Sequence, residues 1–276
     1  MTGKRPFSDR VVVITGSSRG IGRETAIAFG RAGARVVING RDAERLEKTA
    51  AQLRAEGIEV EAVAADIARG SDAARLISAA KARFGHIDVL VNNAGVSMRG
   101  LFSELVPEVV ETVVRTNITG AVVPTVAAMN ELRERRGSII FVSSLAGVHG
   151  FPNVSIYSAA KMALTGLAQS LDAELAGSGV HVGLIFLGFT ENDPDKSILA
   201  ADGREIIVKR RHQMSQSQAA QEIVKLTVRR RRQRVLTPPG RLLYLAAHVA
   251  PVLVRAVLRR SGGRIHAGTS AREANR

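Results

Sequence analysis

The 276-residue chain predicts a doubly wound α/β fold, a parallel sheet with helices on both faces, and three observations carry that prediction. Short β-branched runs recur through the first 190 residues. Segments of helical periodicity separate them. Each run is apolar almost without interruption, as in strands covered on both faces rather than one. Crossovers between parallel strands are right-handed, so the expected strand order is 3-2-1-4-5-6 with room for a seventh, and ligands belong at the carboxyl ends of the strands.

The elements follow in order. Strands are expected at Val11–Ile14, Val36–Ile38, Val60–Ala64, Val89–Val91, Ile139–Val142 and Val182–Phe186, and helices between them near 20–32, 43–56, 71–84, 107–134 and 156–178. The alternation then stops. Residues 197–208 carry Asp202-Gly203 between two apolar runs, a hairpin signal because both turn residues tolerate positive φ. Ser215-Gln216-Ser217-Gln218 opens a helix that ends in Arg229–Arg232, where cations suit the carboxyl terminus. A shorter helical pattern fills 240–260, and no internal repeat is visible.

Composition narrows the functional classes. With 45% hydrophobic and 23% charged residues, disorder, collagen-like repeats and a polytopic membrane protein are all disfavoured. The chain has no cysteine, which excludes disulfides, cysteine-ligated zinc, iron–sulfur clusters and a thiol nucleophile. Its six scattered histidines form no ligand-spaced group, so no metal is expected. Only ten residues precede Val11, too few for a signal peptide, and the longest later apolar stretch, Leu242–Val254, is too short to span a bilayer. A cytoplasmic protein is the expectation. The net charge of +14 is unevenly placed: residues 1–203 hold 22 basic and 22 acidic side chains, residues 204–276 hold 17 and 3. That tail is either a solvated arginine-rich surface or a contact for an anionic partner.

Thr15-Gly16-Ser17-Ser18-Arg19-Gly20-Ile21-Gly22 lies between the first strand and first helix. Glycines there let the backbone approach a pyrophosphate held by the helix amino terminus; a purely structural glycine turn is the alternative. The second strand ends Ile38-Asn39-Gly40-Arg41, without the carboxylate that would bind the ribose 2′-hydroxyl of NAD. Arg41 and Arg19 suit a 2′-phosphate instead, unless they are ordinary surface arginines, so NADP(H) is the expected cofactor. Tyr157-Ser158-Ala159-Ala160-Lys161 places a phenol and an ammonium four residues apart on one helix face, downstream of a strand ending in Ser143-Ser144. A cation beside a phenol stabilises phenolate and makes tyrosine a usable acid–base group.

Taken with Asp66, Asn92-Asn93-Ala94-Gly95, Asn117 and Gly188, these motifs make residues 9–190 resemble the short-chain dehydrogenase/reductase family, with a Rossmann-type fold. The resemblance implies that Gly16, Ser18, Arg19, Gly20, Ile21, Gly22 and Arg41 bind the phosphates, that Asp66 and Ile67 meet adenine, and that Asn93, Ala94 and Gly95 line the cofactor cleft. It also implies that Tyr157 gives a proton to a carbonyl oxygen held by Ser144, that Lys161 binds the nicotinamide ribose and favours the phenolate, and that Asn117 positions a relay water, or else kinks or caps its helix. The family usually has Pro-Gly with a threonine four residues after the glycine; here Leu187-Gly188-Phe189-Thr190-Glu191-Asn192 departs from that, and Thr190 is the expected substitute. One catalytic domain over 1–237 is expected, with a hairpin-containing lid at about 190–214 and an extension over 238–276. A homodimer or homotetramer is the expected assembly.

The expected substrate wall includes Met98, His149, Phe151 and Phe189, mostly apolar, which favours a lipophilic ketone, aldehyde or alcohol over a sugar. His149 either touches substrate or is structural. A soluble 3-oxoacyl-thioester reductase is the alternative enzyme, and a non-catalytic NADPH-binding scaffold the alternative from another class. Residues 229–260 combine arginines with an apolar body, as an anionic membrane contact would, peripheral rather than spanning; a subunit interface is the competing reading. Nucleic acid is not expected, since Tyr244 is the only aromatic after Phe189 and no stacking platform can be built from it.

Overall fold

The computed structural model describes residues 5–194, 196–207 and 214–260. Its elements are β1 (Val11–Ile14), α1 (Gly20–Arg31), β2 (Arg35–Gly40), α2 (Ala43–Ala55), β3 (Val60–Ala64), α3 (Gly70–Phe84), β4 (Val89–Asn92), β5 (Met98–Arg99), α4 (Pro107–Val114), α5 (Gly120–Glu134), β6 (Ser138–Ser144), α6 (Ser155–Glu174), β7 (His181–Leu187), β8 (Ser197–Ala200), β9 (Glu205–Ile207), α7 (Gln216–Val228), β10 (Gln233–Val235), α8 (Pro238–Val249) and α9 (Pro251–Arg260). The main sheet is parallel throughout, ordered β10-β7-β6-β4-β1-β2-β3. This is the expected order, with β10 as the seventh strand at one edge.

The uninterrupted apolar runs have the predicted cause. In β1, Val12 and Ile14 pack with Phe29, Leu46 and Ile223 on the face covered by α1, α2 and α7, whereas Val11 and Val13 pack with Leu76, Leu132 and Leu164 on the face covered by α3, α5 and α6. Both faces of β1 are dry, and all four of its side chains are apolar.

The expected hairpin forms as β8 and β9, antiparallel, turning through Asp202 and Gly203; Val208 lies outside the described residues. The short strand β5 joins β8 in parallel, making a second three-stranded sheet over the carboxyl end of the main one. Two boundaries differ from expectation. The helix expected to reach residue 178 stops at Glu174, and the chain turns through Gly177 and Gly179, both at φ +81. The tail pattern at 240–260 is two helices, α8 and α9, meeting at 120° where Pro251 follows Ala250. No described helix is by itself long and apolar enough to cross a membrane. Residues 261–276 of the expected extension lie outside the described residues.

Candidate active site

The turn between β1 and α1 is clamped from two sides. Thr15 Oγ1 accepts from the backbone amides of Asn93 and Ala94 at 3.1 Å each, and Asn93 Nδ2 donates to the carbonyls of Thr15 and Gly16 at 2.9 and 3.0 Å. On the other side, Asn39 Oδ1 accepts from the Gly16 amide at 3.3 Å while its Nδ2 donates to the carbonyls of Val63 and Ala65, both at 3.1 Å. A Cβ on Gly16 would fall 2.7 Å from Ala94 Cα, and one on Gly22 would fall 2.3 Å from the Gly16 carbonyl oxygen. Only glycine tolerates that closeness, and Gly16 and Gly20 also sit at φ +62. The amino end of α1 is thus presented beside a tight glycine-rich turn, the arrangement that receives a phosphate.

Beside this turn is a cleft of about 460 Å³, lined by Ser18, Arg19 and Arg23, by Arg45, Lys48, Thr49 and Gln52 from α2, and by Asp193 and Pro194. Its cations outnumber its single carboxylate. Arg23 Nε and Asp193 Oδ2 are buried without a hydrogen bond, and Asp193 Oδ2 lies 3.6 Å from where a Cβ on Gly20 would be. Asp193 Oδ1 accepts from Gln216 Nε2 at 3.2 Å and stands 3.7 Å from Arg23 Nη2.

A second group converges at the carboxyl ends of β4 and β6. Lys161, 5% exposed, donates from Nζ to the Val142 carbonyl at 3.0 Å and lies 5.9 Å from the centre of the Tyr157 ring, one turn earlier on α6. Burial, reinforced by the Lys196 cation, lowers its ammonium from 10.5 to about 8. The Asn117 side chain holds both backbone groups of Val96, accepting from its amide at 2.9 Å and donating to its carbonyl at 2.8 Å. Gly95 is squeezed between the two: a Cβ there would lie 2.6 Å from Asn117 Oδ1 and 3.4 Å from Lys161 Nζ. Asn117 reaches this place because the helical stretch 107–134 carries a π-helical turn at Arg115–Thr119 between α4 and α5. Ser144, the last residue of β6, accepts at Oγ from the Ala146 amide at 3.2 Å, while the neighbouring Ser143 hydroxyl donates to the Lys161 carbonyl at 3.2 Å.

A phosphate-type turn and a Tyr/Lys/Ser cluster therefore share the carboxyl edge of one parallel sheet. A family model described as short chain dehydrogenase matches residues 10–203. The chain belongs to the short-chain dehydrogenase family. It is 35% identical over 239 residues to dehydrogenase/reductase SDR family member 7B of Bos taurus, covering 83% of this chain and 74% of the relative. It is 35% identical over 193 residues to the 3-oxoacyl-[acyl-carrier-protein] reductase of Synechocystis, covering 69% and 78%. Among solved structures, a short-chain dehydrogenase/reductase from Burkholderia phymatum in complex with NAD aligns with TM-score 0.79 and 25% identity over 90% of this chain and 96% of that one. A metagenomic short-chain oxidoreductase in complex with NADP aligns with TM-score 0.70 and 29% identity over 84% and 99%.

The other expected site residues fall as follows. Asp66 is ion-paired with Arg115 and accepts from the Ala68 amide at 3.2 Å, and Ile67 is buried against the backbone of Gly120. Gly188 lies against Thr237, and Thr190 donates from Oγ1 to the Gly188 carbonyl at 3.2 Å. Arg41 is exposed just past β2 and does not line the cleft that Arg19 lines; Arg45 and Lys48, on the next helix, do. Met98 is fully buried, packed with Val109, Val113 and Ala160 in a cluster that Tyr157 and Ile156 border, so it supports the wall from behind. Phe151 lines a cavity of about 350 Å³ with Leu101, Phe102 and Ser155, whose buried hydroxyl has no partner. His149 donates from Nδ1 to the Gly150 carbonyl at 2.9 Å, and Phe189 is exposed.

Sequence reasoning missed Asn39, Arg45, Lys48 and Asp193. Asn39 had a signal: an amide inside an apolar strand, buried to 1% exposure, must have partners.

Proposed function

We propose that the chain is an NADPH-dependent carbonyl reductase or alcohol dehydrogenase for a lipophilic ketone, aldehyde or secondary alcohol. The observation that carries this reading is that Tyr157 and Lys161 on α6 and Ser144 at the end of β6 stand on the same sheet edge as the glycine-rich turn at the start of α1. The residues fit a dinucleotide: close packing of Gly16 on Ala94 and of Gly22 on the Gly16 carbonyl shapes the turn before α1, and Arg23 Nε is a buried donor without an acceptor, suited to a phosphate oxygen. Bound NADPH supplies the hydride. Arg19, with Arg45 and Lys48 across the cleft, favours a 2′-phosphate, and no carboxylate at Gly40 repels it.

In the reductive direction the Ser144 hydroxyl holds the substrate carbonyl and the Tyr157 phenol donates its proton to the developing alkoxide. The Lys161 ammonium, fixed by Val142, favours the phenolate left behind. Asn117 is a positioning residue. Its side-chain amide bonds both backbone groups of Val96 and so fixes the turn that carries Gly95. The apolar cavity at Leu101, Phe102 and Phe151 favours a lipophilic substrate, with the Ser155 hydroxyl free to meet one polar group on it.

The similarity to a 3-oxoacyl-[acyl-carrier-protein] reductase favours a second reading, reduction of a 3-oxoacyl thioester. NADPH oxidation followed with a ketosteroid and retinal panel and with acetoacetyl thioester separates the two. Faster turnover of the lipophilic panel supports the first reading. Turnover of the thioester alone supports the second.

A further inference from the structure

We propose that α8 and α9 form a docking surface for an anionic lipid bilayer, placed beside the mouth of the active site. Leu242, Leu245 and Val249 recur at helical spacing on one stripe of α8, and Val252, Leu253 and Val257 follow on α9; all six are between 56% and 75% exposed. Among the described residues this is the densest group of exposed large apolar side chains. Six exposed large apolar side chains between Leu242 and Val257 mark an interaction surface, since their contact with water is unfavourable.

The charge around the patch selects the partner. Residues 241–260, which cover most of α8 and all of α9, contain four arginines, Arg241, Arg255, Arg259 and Arg260, and no acidic residue. An isologous contact with a second copy would set these arginines against their own images with no carboxylate to answer them. An anionic bilayer answers both features at once, headgroups for the guanidinium groups and acyl chains for the leucines and valines.

The arginine run expected to share this surface does not reach it. Arg230 donates to the carbonyls of Arg136 and Gly179, and Arg232 pairs with Asp172 at 3.1 Å. The run precedes β10, at the amino end of the parallel sheet, whereas α8 starts at the carboxyl end, where Thr237 packs on Gly188 and Gly240 lies against Leu145, the residue after Ser144. The dock is therefore confined to residues 241–260 and borders the site edge. Entry of a lipophilic substrate from the bilayer rests on the function proposed above; the docking itself does not.

The test is co-sedimentation of the full chain with phosphatidylcholine vesicles containing or lacking phosphatidylglycerol, which reads binding without reference to turnover. Each arginine near an anionic surface strengthens partition about fivefold, and burying one leucine or valine strengthens it about tenfold or more. The expected result is binding to anionic vesicles that weakens at least tenfold from low to high salt yet persists, since salt screens only the charge part. Leu245→Asp with Val249→Asp should weaken it at least tenfold at both salt levels, with the circular dichroism of the wild type. Arg255→Glu with Arg259→Glu should weaken it on anionic vesicles alone. No binding at low salt, or equal binding by the folded variants, overturns the proposal. So does a dimer that Leu245→Asp dissolves without any vesicle binding, which would give the patch to a second copy.

Discussion

Lys161→Met should make the protein inactive yet more stable at neutral pH, because the site holds a charge that the fold disfavours. Burial lowers the Lys161 ammonium from 10.5 to about 8. At about 1.4 kcal/mol per pH unit, the folded state carries a cost of roughly 3 kcal/mol for keeping that proton. The sign follows from linkage. Below about pH 8 both folded and unfolded chains hold the proton and the full cost applies; between 8 and 10.5 the folded lysine sheds it first and the cost fades. Methionine removes the cost but also the hydrogen bond to the Val142 carbonyl, worth about 1–2 kcal/mol. The variant should exceed wild type by about 1–2 kcal/mol at pH 7, and the wild type should regain about 2 kcal/mol on the variant by pH 10. Urea unfolding at both pH values measures this. A stability difference that does not change with pH would refute the reasoning.

Other changes test neighbouring parts of the account. Arg19→Ala should weaken NADPH binding by about 1.5–3 kcal/mol and NADH binding far less, read by fluorescence titration; equal losses would remove the arginine from the 2′-phosphate. Asp193→Asn should tighten NADPH binding severalfold, because the carboxylate beside Gly20 and the start of α1 has an unpaired buried oxygen and opposes a diphosphate; weaker binding would show that Asp193 instead organises the cleft. Gly95→Ala should lose activity with the fold retained, since its Cβ would press on Asn117 Oδ1 and Lys161 Nζ, and full turnover would show that this contact is idle.

Most of the architecture was legible because it rests on local chemistry. Both faces of the main sheet are dry, so its strands stand out as apolar runs, and the glycine turn and the Tyr157/Lys161 pair each lie within one short segment. What was not legible depends on distant chain. The three-residue β10 follows the arginine run, carries Arg234 at its centre and is a strand only because β7 offers an open edge. The π-helical turn at Arg115–Thr119 shifts the helical register locally, and the periodicity of 107–134 gives no sign of it. Arg45 and Lys48 reach the cleft by the packing of α2 beside the turn, while Arg41, nearer in sequence to the expected carboxylate position, stays outside. Asp193 meets Gly20 only when the segment after β7 folds back. The tail read as one basic apolar unit, and the sheet divides it between its two ends.

In the proposed reduction of a carbonyl by NADPH, Tyr157 gives the proton. The direct measurement is turnover by Tyr157→Phe with the best substrate of the panel, set beside its NADPH affinity. Loss of one hydroxyl from the proton path should lower kcat by about 10²–10⁴-fold and leave NADPH binding within a factor of about two. Turnover close to that of the wild type would contradict the account, because another group would then be the acid.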